Sequence, residues 1–352
     1  EPKLILHLHV EYEDGTVQQV VSDESWKTDD GPIVFSCVYG GEDYDARREQ
    51  PGWDTPGFDD SAWRAARAVD GPGGTLRAQS APPITVAKAI HADKVAQVNP
   101  GKVLVDLDEN LSARPFMTVK GPEGARVTIT TGELIDKPWE GHSYTYTLKG
   151  GGEETFRSRF TYFGFQYLFV DGVDLPGNAS ANAERPLLLD VGADFITSSA
   201  PSVGDFECSN ELFNRIEAMI NRSVRSNLMS VLTDCPHREK LGWLEVAHLM
   251  GPSILYRYDA HGLYRKICRD TTDSQLESGL VPDIAPEYTR FSGGFFESAE
   301  WGSACVQLPW LLYQWYGDAG VLKEQYGTMA RYTRYLATTR NGQGLEIGRA
   351  HV

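Results

Sequence analysis

Cysteine is scarce and scattered. The 352 residues hold five, Cys37, Cys208, Cys235, Cys268 and Cys305, with no C-x-x-C pair. An odd number without zinc-site spacing excludes a disulfide framework and a Cys/His metal centre; no metal and no cofactor are expected. Long apolar runs are also missing: none reaches the roughly 18 residues a membrane-spanning helix requires, so no membrane partner is expected. Basic residues are in deficit, 33 Lys and Arg against 49 Asp and Glu, a formal net charge of −16. The acids are spread along the chain, which argues against nucleic acid and anionic lipid as partners and suits a neutral or weakly charged ligand. The Gly150–Gly152 run is too short, and too far from a helix start, to cradle phosphate.

Core-forming residues are plentiful. Hydrophobic residues make up 41% and aromatic residues 11%, enough for packed cores, and the length implies two or three domains. Leu4, Leu6, Leu8 and Val10 alternate with Ile5, His7 and His9, Glu13-Asp14-Gly15 turns the chain, and Val17 to Val21 returns, a hairpin pattern. Ile33 to Tyr39 reads as another strand. Trp26, Trp53, Trp63, Tyr39 and Tyr44 are expected to close a small sandwich core, with stacking on a sugar ring as the alternative. Pro82-Pro83 marks a junction. Strands resume at Val103–Leu107, Phe116–Val119, Val127–Thr131, Thr145–Leu148 and Tyr162–Val170, punctuated by glycines at hairpin intervals. The pattern turns helical after residue 200: about 211–228 with Ser209 as N-cap, then 243–258, 260–276, 299–315 and 321–338. A long loop, Ser278 to Ser298, carries Pro282, Pro286 and Gly293-Gly294; loops of that length are usually functional. The fold class is therefore multidomain, β then α: residues 1–85 and 86–200 as two β-sandwiches, 201–345 helical, and 346–352 a non-native tail.

Chemistry concentrates in Thr233–Gly251, T-D-C-P-H-R-E-K-L-G-W-L-E-V-A-H-L-M-G. Pro236 and Gly242 keep 234–242 irregular. From Trp243 onward, Trp243, Val246, Ala247, Met250 and Ile254 fall on one apolar helix face, and Glu245 and His248, three apart, share another. A polar loop feeding a helix with its own acid and base suits acid/base work on a sugar. Cys235, followed by proline, is expected to pack under the loop rather than act as a nucleophile.

Several longer patterns occur in order: S-D-x-S-W-K (Ser22–Lys27), G-E-x-Y-D-A-R (Gly41–Arg47), G-W-D-x-x-x-F-D-D-S-x-W (Gly52–Trp63), R-A-Q-x-x-P-P-I (Arg77–Ile84), R-F-T-Y-F-G-F-Q-Y (Arg159–Tyr167) and D-C-P-x-R-x-x-x-G-W (Asp234–Trp243). Together they resemble the bacterial α-L-rhamnosidase family of inverting glycoside hydrolases. The resemblance implies two N-terminal β-sandwiches followed by an (α/α)6 catalytic barrel. This chain has room for only part of the twelve helices, so an incomplete barrel, inactive alone, is expected. The implied partner is a rhamnose-terminated plant polysaccharide or glycoside, in an extracellular or periplasmic setting. Asp234, Arg238 and Trp243 would hold the sugar, with Trp301 as a second aromatic wall and Tyr288 as a further loop contact. The family's general base would lie beyond Val352.

One departure stands out. The usual motif reads D-C-P-Q-R-D-E-R-L-G-W, its glutamate the general acid. Counted from the D-C-P end, Lys240 takes that place and Glu239 takes the aspartate's. The acid is then Glu239 on a shifted loop, or Glu245 a turn on, or the chemistry differs. A related fold cleaves rhamnose–glucuronate bonds by β-elimination; in that alternative His248 or Tyr288 is the base, and His237, Arg238, Lys240 and Arg290 neutralise the uronate. A third alternative is a non-catalytic carbohydrate-binding protein on the same scaffold.

Overall fold

The computed structural model describes residues 2–178, 184–292, 295–340 and 343–344; Gly293-Gly294 and the 346–352 tail lie outside the described residues. The N-terminal hairpin forms as the turn chemistry requires, β1 (His7–Glu11) pairing with β2 (Val17–Val21), His7 opposite Val21. Next come β3 (Lys27–Thr28), β4 (Ile33–Cys37), β5 (Gly41–Asp45) and β6 (Arg64–Ala65). β3 pairs only with β6, whereas β4 and β5 enter the main sheet. The aromatic core expected in this first stretch is not formed: Trp53 is 61% exposed, and Trp26 and Trp63 are half-buried with their indole N–H groups on Val21 O and Gln50 Oε1. Tyr44 instead packs on Tyr146 of the main core.

That core is built by β7 (Ile84–His91), β8 (Lys94–Asn99), β9 (Lys102–Lys120), β10 (Arg126–Gly132), β11 (Ser143–Thr147), β12 (Glu153–Arg157), β13 (Phe163–Asp171) and β14 (Leu187–Ser198). The hydrogen-bonded order is β4-β5-β11-β10-β13-β9-β14-β7, with β8 and β12 also on β9, and β5 parallel to β11. The two strands expected at 103–107 and 116–119 are one: the alternation continues straight through, and positive-φ Asp108 bends the strand without ending it. The first half of β9 pairs with β8 and β13, the second with β12 and β14. The sheet thus wraps one apolar core that includes Val105, Met117, Ile129, Phe165 and Leu168.

The helical part holds α1 (Glu211–Asn227), α2 (Leu244–Leu249), α3 (Gly251–Arg257), α4 (His261–Ser274), α5 (Ala299–Gly302), α6 (Ala304–Tyr316) and α7 (Ala319–Thr339). Asn210, not Ser209, caps α1; its side chain accepts from Leu212 N. The expected 243–258 helix is broken at Met250, because Pro252 opens α3 and has no N–H to continue the α2 ladder. The 299–315 helix is likewise divided at Ser303. Leu263, Tyr264 and Ile267 of α4 pack with Leu308 and Leu312 of α6 and with Val321 and Tyr332 of α7. The C-terminal end of α1 docks on the sandwich, where Arg225 O accepts from Thr197 Oγ1.

Candidate active site

Asn227 anchors the loop's start, its backbone O accepting from Thr233 N and its Oδ1 from Thr233 Oγ1. At the far end the loop pairs with the segment before Pro286: Leu244 N donates to Asp283 O and Ala285 N to Gly242 O. A Cβ at position 242 would meet Ala285 O at 2.6 Å, so this approach requires glycine. A second close approach lies beneath: a Cβ on Gly164 would meet Pro236 Cγ at 2.6 Å. The R-F-T-Y-F-G-F-Q-Y stretch is therefore the bed on which the loop rests.

Between these anchors the chain makes a tight turn. Lys240 N donates to Cys235 O, Glu239 N to Cys235 Sγ at 3.4 Å, and Lys240 adopts φ 55°. The turn gives the loop two sides. Toward the sandwich, Lys240 Nζ donates to Val38 O and Tyr162 O and sits 4.6–5.7 Å from the rings of Phe163, Tyr162 and Tyr39. Burial holds its pKa down to about 7, against a small upward pull from the Cys37 and Cys235 thiols. His237 faces the same way, edge-on to Trp139 at 4.8 Å and 3.5 Å from Glu133 Oε2. On the other side, Glu239 Oε2 accepts from Trp243 Nε1 at 2.7 Å, and its Oε1 is 3.7 Å from Arg238 Nε. Tyr39 OH donates to Glu239 O at 2.6 Å and fixes the backbone there.

Trp243 is buried and stacks on Phe291 at 5.4 Å, with Trp301 edge-on at 6.5 Å. Three rings thus meet beside the Glu239 carboxylate. Asp234 Oδ1 is buried and accepts no hydrogen bond among the described residues. Arg238 is mostly exposed, and Tyr288, 66% exposed, lies 6.2 Å from Tyr39. Burial, with the Asp234 side chain adding to it, pushes the Cys235 thiol up, which agrees with a packing role and not a thiolate nucleophile.

Glu245 lies in the first turn of α2, half-buried, its carboxylate without an ion pair or hydrogen bond to another described residue. His248 donates through Nε2 to Glu300 O at 2.9 Å, which ties α2 to α5 and leaves only Nδ1 for acid/base work.

Two expectations are corrected. The first is the count that put Lys240 in the place of the motif glutamate. From Asp234 to Trp243 the chain is one residue shorter than the family motif; counted back from L-G-W, Glu239 falls on the motif glutamate and Lys240 on the arginine after it. The turn agrees, sending the lysine into the sandwich and the glutamate to Trp243. The second is the set of cations around a uronate: Arg238 stays beside Glu239, but the other three do not join it. His237 and Lys240 point into the sandwich, and Arg290 pairs with Glu287 at 3.3 Å and lies over Phe296.

Two residues, Phe291 and Glu300, escaped the sequence reading, and Tyr39 reads only with the aromatics of the first stretch. Phe291 and Tyr39 are remote in sequence from the motif and carried only a generic aromatic signal. Glu300 stood beside Trp301 in E-W-G, yet only the fold reveals that its Oε2 is buried without a hydrogen-bond partner among the described residues.

Comparison with known proteins matches the chain along nearly its whole length. Residues 1–88 match the alpha-L-rhamnosidase N-terminal domain, 96–185 the bacterial alpha-L-rhamnosidase concanavalin-like domain, and 201–351 the bacterial alpha-L-rhamnosidase 6 hairpin glycosidase domain. An alpha-L-rhamnosidase of Streptomyces avermitilis is 35% identical over 97% of this chain and 33% of its own length; one of Formosa agariphila is 30% identical over 98% and 37%. Among solved structures, the S. avermitilis alpha-L-rhamnosidase complexed with L-rhamnose superposes with a TM-score of 0.86 at 34% identity, over 96% of this chain and 33% of that one. The alpha-L-rhamnosidase from Dictyoglumus thermophilum gives 0.85 at 35%, over 95% and 38%. The chain spans about a third of the length of the curated relatives it matches.

Proposed function

We propose, for a chain that belongs to the bacterial α-L-rhamnosidase family of glycoside hydrolases, that the protein releases terminal L-rhamnose by hydrolysis, with Glu239 as the general acid. The observation that carries this reading is the Trp243 Nε1 to Glu239 Oε2 hydrogen bond at 2.7 Å. It orients the carboxyl at the edge of an aromatic wall and leaves Oε1 to deliver a proton to the leaving oxygen. Trp243, Phe291 and Trp301 offer apolar ring faces of the kind that pack on a deoxysugar's methyl and C–H surfaces. Asp234 at the loop's start and the exposed fork of Arg238 suit the sugar hydroxyls. Inversion needs a second carboxyl roughly 6.5–9.5 Å away to activate water. In this reading the stretch to about residue 85 and the sandwich to about residue 200 support a helical part that carries the chemistry, and Glu245, His248 and Tyr288 shape its surroundings.

The test is made on the complete protein. Glu239→Gln is expected to lower kcat on an alkyl α-L-rhamnoside by roughly 10²- to 10⁴-fold, the span of general acid catalysis. The loss should be much smaller on 4-nitrophenyl rhamnoside, whose leaving group needs no proton. Equal losses on both substrates, or none, would remove Glu239 from the role. A rhamnosyl-glucuronate disaccharide should yield free rhamnose with no absorbance of an unsaturated uronate; that absorbance would establish elimination instead.

A further inference from the structure

A cavity of about 270 Å³ opens in the sandwich, away from the Trp243 cluster, lined among others by Tyr44, Arg114, Thr155, Arg157, Ser158 and Arg159. Three arginines around one cavity are notable in a chain of net charge −16. Arg114 and Arg157 share one carboxylate, Asp194, which is 1% exposed. Arg159 has an exposed side chain and no carboxylate partner among the described residues. Glu42, fully buried below, accepts from the backbone N–H groups of Arg159 and Phe160, yet positive charge still exceeds negative. Arg114 Nε, Ser158 Oγ and Asp194 Oδ2 are buried beneath the surface without a hydrogen-bond partner among the described residues, so Arg159 supplies the free charge that a ligand would meet. Beside them Phe160 is 71% exposed, a ring available to a sugar face.

We propose that this cavity is a second carbohydrate subsite, which binds the carboxylate of a uronic acid residue in an acidic glycan. A planar oxyanion matches the guanidinium fork of Arg159, while the sugar ring lies against Phe160. The same connecting segment reaches the catalytic loop: Arg159 lines the cavity and, three residues on, Tyr162 O holds Lys240. The inference rests on the carbohydrate reading above for its ligand class only. It is tested by binding and not by rhamnose release, so the two can fail separately.

The measurement is calorimetric titration of the whole chain with trigalacturonate, in low and moderate salt, for wild type, Arg159→Ala and Arg159→Lys. Expected are affinity that falls with salt, at least tenfold weaker binding by Arg159→Ala with an unchanged melting temperature, and partial rescue by Arg159→Lys. Shifts of the Arg159 and Phe160 amide resonances in the wild-type protein locate the site without relying on a variant. Unaltered binding by Arg159→Ala, amide shifts confined to other regions, or equal binding of neutral trigalactose would each overturn the proposal. Inorganic sulfate binding as tightly as trigalacturonate would overturn it too, by showing a site for bare anions.

Discussion

Lys240 and Glu239 are neighbours in sequence with opposite destinations, and the Lys240 side chain has a pH signature of its own. A lysine whose pKa falls from 10.5 to about 7 on folding binds fewer protons in the folded chain than in the unfolded chain between those values. Stability therefore rises with pH across that window; below about 7 both states carry the charge and the burial cost is constant. Lys240→Met removes the titration. The melting-temperature difference, wild type minus Lys240→Met, should move in favour of wild type between pH 7 and 10, and a difference flat in pH would show that the amine titrates normally. Trp243 makes a separate prediction. Trp243→Phe keeps a ring beside Phe291 and Trp301 but deletes the N–H on Glu239. In the complete protein kcat should fall by about ten- to a hundredfold, in line with the roughly 1.5–3 kcal/mol of a hydrogen bond to a charged group. A fall in 1/KM alone would mean that the indole only binds sugar.

At the scale of elements, the site depends on how the 233–243 loop is clamped between the sandwich bed and the segment ending at Ala285. Gly242 is the tightest point, since its would-be Cβ meets a backbone oxygen that has no flexible end to move. Gly242→Ala should destabilise the chain by about 1–3 kcal/mol, read as a lower denaturation midpoint, and should weaken the Trp243–Ile284 bridge. A neutral result would mean that the two segments separate freely. The long 278–298 loop is held at its ends as well: buried Asp283 accepts from both Ser298 N and Ser298 Oγ. Its length alone marked the loop as functional; which of its residues face Trp243 was not legible.

At the scale of the molecule, the helical part buries one side well and leaves another open. Leu212, Phe213, Met219 and Ile220 of α1 are 45–60% exposed, and Trp310 and Tyr313 of α6 are 51% and 41% exposed. Such apolar surface favours association. This chain alone should sediment as concentration-dependent oligomers and bind a hydrophobic dye, and Leu212→Glu with Met219→Glu should reduce both; a monomer at high concentration would show that the faces are tolerated by solvent.

Local pattern by itself determined the order of β then α, seven of the fourteen described strands to within a few residues, the helical stripes and the identity of the loop that carries the chemistry, because alternation, turn residues and 3.6-residue spacing are short-range signals. The motifs determined the family for the same reason: each is contiguous. Only the tertiary structure decided that β4 and β5 join the main sheet, that the N-terminal tryptophans form no core, and that Lys240 and His237 turn away while Glu239 faces Trp243. Those outcomes depend on residues far apart in the chain, Tyr39 against Glu239, Gly164 under Pro236, Ala285 against Gly242, and on one left-handed backbone conformation at Lys240. No spacing rule within the decapeptide encodes them.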